Sequence, residues 1–144
     1  MITTEQYFGK ELVSPEIADN AKILLLKVNT FLELYSKAHG DREVKMTSGF
    51  RSPEYNKTIP NAAPNSKHMS GQAVDIFDGD KELARFCLQK VRLLEEYGLF
   101  CEDMRCTRNW VHFQSIPPRS GSRFFIPTLK WAARLKGPLT LESL

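Results

Sequence analysis

Two histidines and one aspartate stand out in this 144-residue sequence because of their surroundings. His68 ends a polar stretch, Asp75 lies within the apolar run 73–77, and His112 lies within the apolar run 110–114. A carboxylate buried without a counter-charge costs several kcal/mol, and a metal ion can supply that charge. Two imidazoles and one carboxylate leave a fourth position open, as in catalytic zinc sites. The residues therefore suggest a catalytic metal centre.

Other interpretations of the same residues stay open at this point. A buried histidine is often satisfied within the core, and a strand aspartate is often paired with an arginine. Cys101, Cys106 and His112 could instead form a structural zinc site, although no fourth ligand lies nearby in the sequence. We expect the three cysteines to be reduced thiols, because their number is odd.

Three motifs follow one another in the chain and carry a family resemblance. They are Thr47–Asn56 (TSGFRSPEYN), Ser66–Asp75 (SKHMSGQAVD) and Trp110–His112 (WVH). In this order they resemble the zinc D-alanyl-D-alanine carboxypeptidase family, which includes VanY-type enzymes, vancomycin-resistance dipeptidases and phage L-alanyl-D-glutamate endolysins. The resemblance covers about residues 44–116.

The resemblance implies a fold, a cofactor and a reaction. The fold would be a single α+β domain of the hedgehog/D,D-peptidase type, with a small antiparallel sheet flanked by helices and one Zn²⁺. His68, Asp75 and His112 match the family's metal ligands. Arg51 matches an arginine near the substrate carbonyl or carboxylate, and Ser66 could hydrogen-bond substrate. The expected activity is hydrolysis of peptidoglycan stem peptides, either as a D,D-carboxypeptidase or as an endolysin-type endopeptidase.

The sequence departs from the family pattern at the general base. Many members carry an acid three residues before the last zinc histidine, where this chain has Asn109. If the protein is an enzyme, we expect Glu102 or Asp103 to replace that acid from the other arm of a predicted hairpin, with the register deciding between them. The alternative is a catalytically weak or inactive murein-binding or structural phage protein on the same fold.

Composition and charge narrow the class of protein. Hydrophobic residues make up 42% and charged residues 26%, which is typical of a globular protein. The length predicts one domain spanning residues 1–144. The segment 104–141 carries seven basic residues and no acidic one, so it could attract an anionic cell-wall polymer. No nucleic-acid-binding motif accompanies it, so we do not expect nucleic acid as a partner. The family resemblance implies peptidoglycan peptides as the partner, and we expect a monomer as the assembly.

The sequence also predicts where the protein is made. No run is apolar enough for a membrane span, and the first residues lack the pattern of a signal peptide. We therefore expect synthesis in the cytoplasm, followed by release through lysis or packaging into a virion.

The elements that must position these residues can be predicted from periodicity and capping signals. Ser14 and Pro15 begin a long helix that ends near residues 39–40, and a second helix spans about 80–96, closed by Gly98. Strands are predicted at 44–47, 73–77, 99–101 and 110–114, with the last two forming an antiparallel hairpin. The stretch 48–70 is predicted as a long loop, and residues 129–135 as a short final helix. Four aromatic residues are assigned to the core by default: Trp110, Phe113, Phe124 and Phe125.

Overall fold

A five-stranded sheet forms the centre of the fold. The structure is a computed structural model that describes all 144 residues. The strands are β1 (Met46–Ser48), β2 (Ala73–Phe77), β3 (Phe100–Glu102), β4 (Trp110–Gln114) and β5 (Phe124–Phe125), in the spatial order β1-β2-β4-β3-β5. All neighbouring strands are antiparallel except β3 and β5, which are parallel. The predicted α+β class and the predicted β3–β4 hairpin are confirmed.

Six α-helices accompany the sheet. They are α1 (Thr4–Phe8), α2 (Pro15–Ala38), α3 (Pro53–Thr58), α4 (Glu82–Gln89), α5 (Val91–Tyr97) and α6 (Leu129–Arg134). Two short 3-10 helices span Lys67–Ser70 and Leu141–Ser143. None of these helices combines the length and the apolar character that crossing a membrane requires.

The long helix α2 provides the main support for the sheet. Its start is stabilised as predicted, since Ser14 caps it through a hydrogen bond from the Ile17 amide and Pro15 occupies the first turn. Its buried face packs on the sheet, where the rings of Phe31 and Phe113 lie 5.7 Å apart. The buried residues of α2 recur at helical spacing and comprise Ala21, Leu24, Leu25, Val28, Phe31, Leu32 and Tyr35.

The two central strands alternate between the core and the opposite face. Val74 and Ile76 of β2 belong to the hydrophobic core, and they pair with Phe113 and Val111 of β4, which belong to it as well. Because side chains alternate along a strand, Asp75 must point to the other face of the sheet. Its cross-strand partner His112 points the same way. The core therefore fixes the direction of both polar side chains.

The structure differs from the sequence-based expectation in three elements. The stretch 48–70 is not one loop, because it contains α3 and the first 3-10 helix. The predicted helix 80–96 is two helices separated at Lys90, and no glycine or proline in it signals the break. Strand β5 was not predicted, since two residues are too few to show alternation. Gly98 does close α5 in the left-handed conformation, with φ 67°.

The basic C-terminal segment is partly committed to structural contacts. The Arg123 guanidinium donates hydrogen bonds to the carbonyls of Leu94 and Leu99 and lies 4.2 Å from the centre of the Phe100 ring. The Arg105 guanidinium donates to the Asp103 carboxylate. These two positive charges are therefore engaged within the fold. The other five basic side chains of the segment form no ion pair: Arg108, Arg119, Lys130, Arg134 and Lys136.

Candidate metal centre

One side chain from each strand contributes to a line that crosses the sheet. Ser48 pairs with Asp75, Asp75 pairs with His112, and Glu102 pairs with Phe125. The β3–β4 register pairs Cys101 with Phe113, so its next step places Glu102 opposite His112. We call these five residues the transverse row. Neighbouring members lie about 4.8 Å apart at the backbone, which suits a compact polar site.

Three side chains converge at the middle of this row. The Asp75 Oδ1 atom lies 3.2 Å from His68 Nε2 and 2.9 Å from His112 Nδ1. These three ligand atoms all lie within 4.8 Å of one another, and all three residues are buried. The structure thus brings together His68, Asp75 and His112 in a group that could hold a metal ion.

The hydrogen bonds around the two imidazoles fit a metal site. His68 Nδ1 lies 2.8 Å from the Gly49 carbonyl, and His112 Nε2 lies 2.9 Å from Gln114 Oε1. The Gln114 amide nitrogen donates to the Ile116 carbonyl, so Oε1 is the atom that faces His112. When the two rings are neutral, each outer ring nitrogen is the donor and each inner nitrogen carries a lone pair directed at Asp75. Two lone pairs facing a carboxylate need a cation between them, and metal-bound histidines usually donate their other ring N–H to a carbonyl or carboxylate in this way.

The pKa values of Asp75 and His112 also indicate that the site favours positive charge. Burial acts to raise the pKa of Asp75, but the nearby His68 and His112 outweigh it and hold the pKa well below its usual range. Burial acts to lower the pKa of His112, yet the charge of Glu102 and the hydrogen bond to Asp75 raise it to about 9. The site thus stabilises positive charge, which a metal ion or a proton can provide.

Local structure explains how His68 reaches the row from outside the sheet. The Ser66 hydroxyl accepts a hydrogen bond from the His68 amide and caps the 3-10 helix. Gly71 then turns the chain into β2 with φ 75°, and a Cβ there would lie 2.7 Å from the Ile17 carbonyl oxygen. Only glycine fits this close approach. The structure therefore places Ser66 as a residue that orients the backbone of His68.

Arg51 borders the three-residue group on the side of β1. Its Nε donates to the Ser48 hydroxyl at 3.0 Å, and its Nη2 lies 3.4 Å from Asp75 Oδ2. Its amide donates to the His68 carbonyl. The pairing of an arginine with Asp75 thus exists, but at 3.4 Å it is a weak hydrogen bond, and Nη1 has no partner in the protein. The guanidinium can therefore still bind another oxygen.

The sequence left open which of the two hairpin acids, Glu102 or Asp103, lies near the three-residue group, and the structure distinguishes them. Glu102 Oε1 lies 4.0 Å from His112 Nδ1, and about 23% of the side chain is exposed. Asp103 lies outside the group. Its carboxylate accepts hydrogen bonds from the side chain and the amide of Arg105 instead. Its side chain is only 4% exposed. Of these two acids, Glu102 is the one that the fold brings to the candidate metal centre.

Asn109 also lies away from the group. It is exposed, directly before β4, and its carbonyl accepts a hydrogen bond from the Asp78 amide. Its partner Asp78 follows Phe77, which pairs with Trp110, so Asn109 lies beyond the end of the β2–β4 ladder. The Asn109 side chain therefore does not occupy a position beside the three candidate ligands.

The alternative cysteine site is wrong for this fold. Cys101 is buried in the core cluster, on the face of the sheet opposite to His112. No cysteine belongs to a group of potential ligands, and the only such group is the one formed by His68, Asp75 and His112. Side-chain alternation on the hairpin therefore separates the Cys101 sulfur from the imidazole.

Sequence analysis missed several residues that shape the site. Gln114 lies two residues after His112 on the same strand face, so strand periodicity could have identified it. Gly49 and Ser48 act through a carbonyl and a hydroxyl, for which no sequence signal exists. Phe125 was assigned to the core, but its ring lies 6.1 Å from the His112 ring and is partly exposed.

Comparison with known proteins agrees with this geometry. The model of the Peptidase M15 family matches residues 8–114, about three quarters of the chain. The chain belongs to the Peptidase M15 family. Members of the Peptidase M15 family are metallopeptidases, and the His-Asp-His group of this chain could bind their metal. No curated protein and no solved structure matches the chain.

Proposed function

We propose that this Peptidase M15 member is a zinc peptidase that hydrolyses peptide bonds of peptidoglycan stem peptides. The observation that carries the proposal is the convergence of His68 Nε2, Asp75 Oδ1 and His112 Nδ1 within 4.8 Å. Two nitrogen ligands and one oxygen ligand suit zinc, and three protein ligands leave a position for substrate. When bound, zinc would act as a Lewis acid that polarises the peptide carbonyl and acidifies the attacking water.

Glu102 is the proposed general base. Its carboxylate lies 4.0 Å from His112 Nδ1, next to the ligand atoms and open to solvent. There, Oε1 can accept the proton of the attacking water and then donate it to the leaving amine. Asp103 is unsuited to this role, because the Arg105 guanidinium occupies both of its carboxylate oxygens.

Arg51 is the proposed substrate-binding and transition-state residue. Its Nε donates to Ser48 and its Nη2 makes the weaker contact with Asp75, while Nη1 is free to donate. A guanidinium held in this way can bind a peptide carboxylate or stabilise the oxyanion that develops on the carbonyl. Ser66 is proposed to support this site by fixing the backbone of His68, with its hydroxyl available to substrate as a secondary role.

The peptidoglycan specificity rests on the three sequence motifs and their resemblance to D,D-carboxypeptidases and endolysins. Stem peptides carry D-residues and free carboxylates, and the free Nη1 of Arg51 is suited to bind such a carboxylate. Zinc, the bond cleaved and the choice between carboxypeptidase and endopeptidase action are parts of the same proposal.

The test is cleavage of defined muropeptides by purified protein, read by mass spectrometry with and without a chelator. We expect cleavage that the chelator abolishes and that added zinc restores. The matched control is Arg108→Ala, because this arginine is exposed and unpaired and lies in the β3–β4 loop. If the wild type binds muropeptides but never cleaves them, the protein is a murein-binding module and the proposed activity is wrong.

A further inference from the structure

The match to the family model ends at residue 114, whereas the transverse row extends to Phe125. Its last member, Phe125, comes from β5, which adds to the outer edge of β3 in parallel. The ring of Phe125 lies 6.1 Å from the His112 ring at an interplanar angle of 83°. Since β3 lies between their strands, the Phe125 ring must lean across Glu102 toward His112. The segment beyond the family match therefore contributes an apolar surface to the site.

The position of Phe125 is fixed by its backbone. The Asp103 amide donates to the Phe125 carbonyl at 2.7 Å, and the Cys101 amide donates to the Arg123 carbonyl at 2.9 Å. The Arg123 side chain anchors the start of β5 to the carbonyl of Leu99. These contacts fix the Phe125 backbone opposite Glu102, although β5 has only two residues. A side chain carried on a backbone fixed in this way orders at a lower entropic cost when it contacts a substrate.

The proposed reaction determines which part of a bound substrate lies next to the Phe125 ring. Glu102 must deliver its proton to the leaving amine, so the residue that carries this amine lies on the Glu102 side of the ligands. Phe125 lies on that same side, beyond Glu102, whereas Arg51 lies on the opposite side with β1. The side chain of the leaving residue is thus the part of the substrate that reaches the ring.

We infer that Phe125 is a specificity-determining residue that selects an aliphatic side chain on the residue after the cleaved bond. This inference rests on the proposed peptidase function. The partly exposed ring offers apolar surface but no hydrogen-bond partner, so a hydroxyl placed against it loses its water without replacement. Single-group differences in an apolar pocket change kcat/KM by about 10–200-fold. We expect zinc binding to be independent of the ring, because Phe125 is not among the residues that could hold the metal.

The experiment compares two stem peptides that differ only at the residue after the cleaved bond. One carries D-2-aminobutyrate and the other D-serine, so a methyl group is replaced by a hydroxyl of similar size. We expect the wild type to prefer D-2-aminobutyrate by about tenfold in kcat/KM. Phe125→Ala should reduce this preference to about threefold or less, with zinc content unchanged. Phe125→Leu is the matched control and should retain most of the preference, because it keeps an apolar side chain.

Binding without turnover provides a second measurement. On a Glu102→Gln background, calorimetric titration with the same two peptides should show the same preference in Kd and the same loss on Phe125→Ala. If Phe125→Ala retains the wild-type preference, or lowers kcat/KM equally for both peptides, Phe125 does not select the leaving residue. If the wild type neither cleaves nor binds either peptide, the proposed function fails and this inference fails with it. Cleavage with an unchanged preference would overturn the inference alone.

Discussion

The two neighbouring acids of the hairpin should respond to amide substitution in opposite ways. Glu102→Gln removes a carboxylate that is near the ligands and has no close ion pair, since its nearest cationic partner is His112 Nδ1 at 4.0 Å. Asp103→Asn removes a carboxylate that accepts hydrogen bonds of 2.8 Å and 3.0 Å from the Arg105 guanidinium. The first change should therefore affect turnover, and the second should affect stability.

The magnitudes follow from the contacts that each change removes. Loss of a general base lowers the rate by about 10²–10⁴-fold, or roughly 3–5 kcal/mol in activation free energy. The partly exposed Glu102 contributes at most about 1 kcal/mol to the free energy of unfolding. Hydrogen bonds to charged groups contribute about 1.5–3 kcal/mol, so Asp103→Asn should lower the melting temperature by roughly 3–10 °C.

Both effects can be measured on the same preparations. Single-turnover cleavage of a muropeptide reports the chemical step, thermal unfolding reports stability, and metal analysis confirms that zinc is retained. We expect Glu102→Gln to lose cleavage with an unchanged melting temperature, and Asp103→Asn to melt earlier but cleave at nearly the wild-type rate when folded. The reasoning is refuted if Glu102→Gln cleaves within threefold of wild type, or if Asp103→Asn loses cleavage while it retains zinc and fold.

Three further predictions concern the metal, its orientation and the basic segment. Metal analysis of the purified protein should find about one zinc per chain. His68→Ala should lose this zinc and Cys106→Ser should keep it. Zinc in the His68 variant would contradict the proposed ligands. Gln114→Leu should weaken zinc affinity by about 10–100-fold in a competition assay with a chelating dye, because it removes the acceptor that fixes the tautomer of the His112 imidazole. Unchanged affinity would show that another contact fixes this tautomer. Charge reversal of Arg119 and Lys130 should reduce pelleting with cell walls at low salt, with a difference that shrinks as salt rises; equal pelleting at every salt concentration would mean that these charges do not contact the wall.

The part of the site that sequence reasoning could predict is the part built on strand alternation. The strands 73–77 and 110–114 were predicted with the observed bounds, and their polar members Asp75 and His112 are cross-strand partners. Their apolar neighbours belong to the core, so the direction of the polar side chains follows from the pattern alone. Residue type and the family motif group His68 with them, since no periodicity connects a 3-10 helix to a strand.

The choice of the acid and the role of β5 could not be predicted, because both depend on register. The sequence shows that Glu102 and Asp103 lie on a strand end, but the pairing of Cys101 with Phe113 decides which of them faces His112. Strand β5 has only two residues, too few for an alternating pattern to distinguish a strand from irregular chain. Its aromatic pair was therefore assigned to the core, although Phe125 is partly exposed beside the candidate metal centre.

The register that places Glu102 is maintained by contacts outside the candidate metal centre. Strand β3 is held on one side by its pairing with β4 and on the other by amide hydrogen bonds from Cys101 and Asp103 to β5. The Arg105 guanidinium joins Asp103 to the carbonyls of Lys136 and Gly137, which ties the C-terminal segment to the same hairpin. A slip of one residue would turn Glu102 into the core and bring an uncharged or already paired side chain toward His112. The C-terminal segment thus adds stability to the hairpin, whose pairing with β4 sets which carboxylate faces His112.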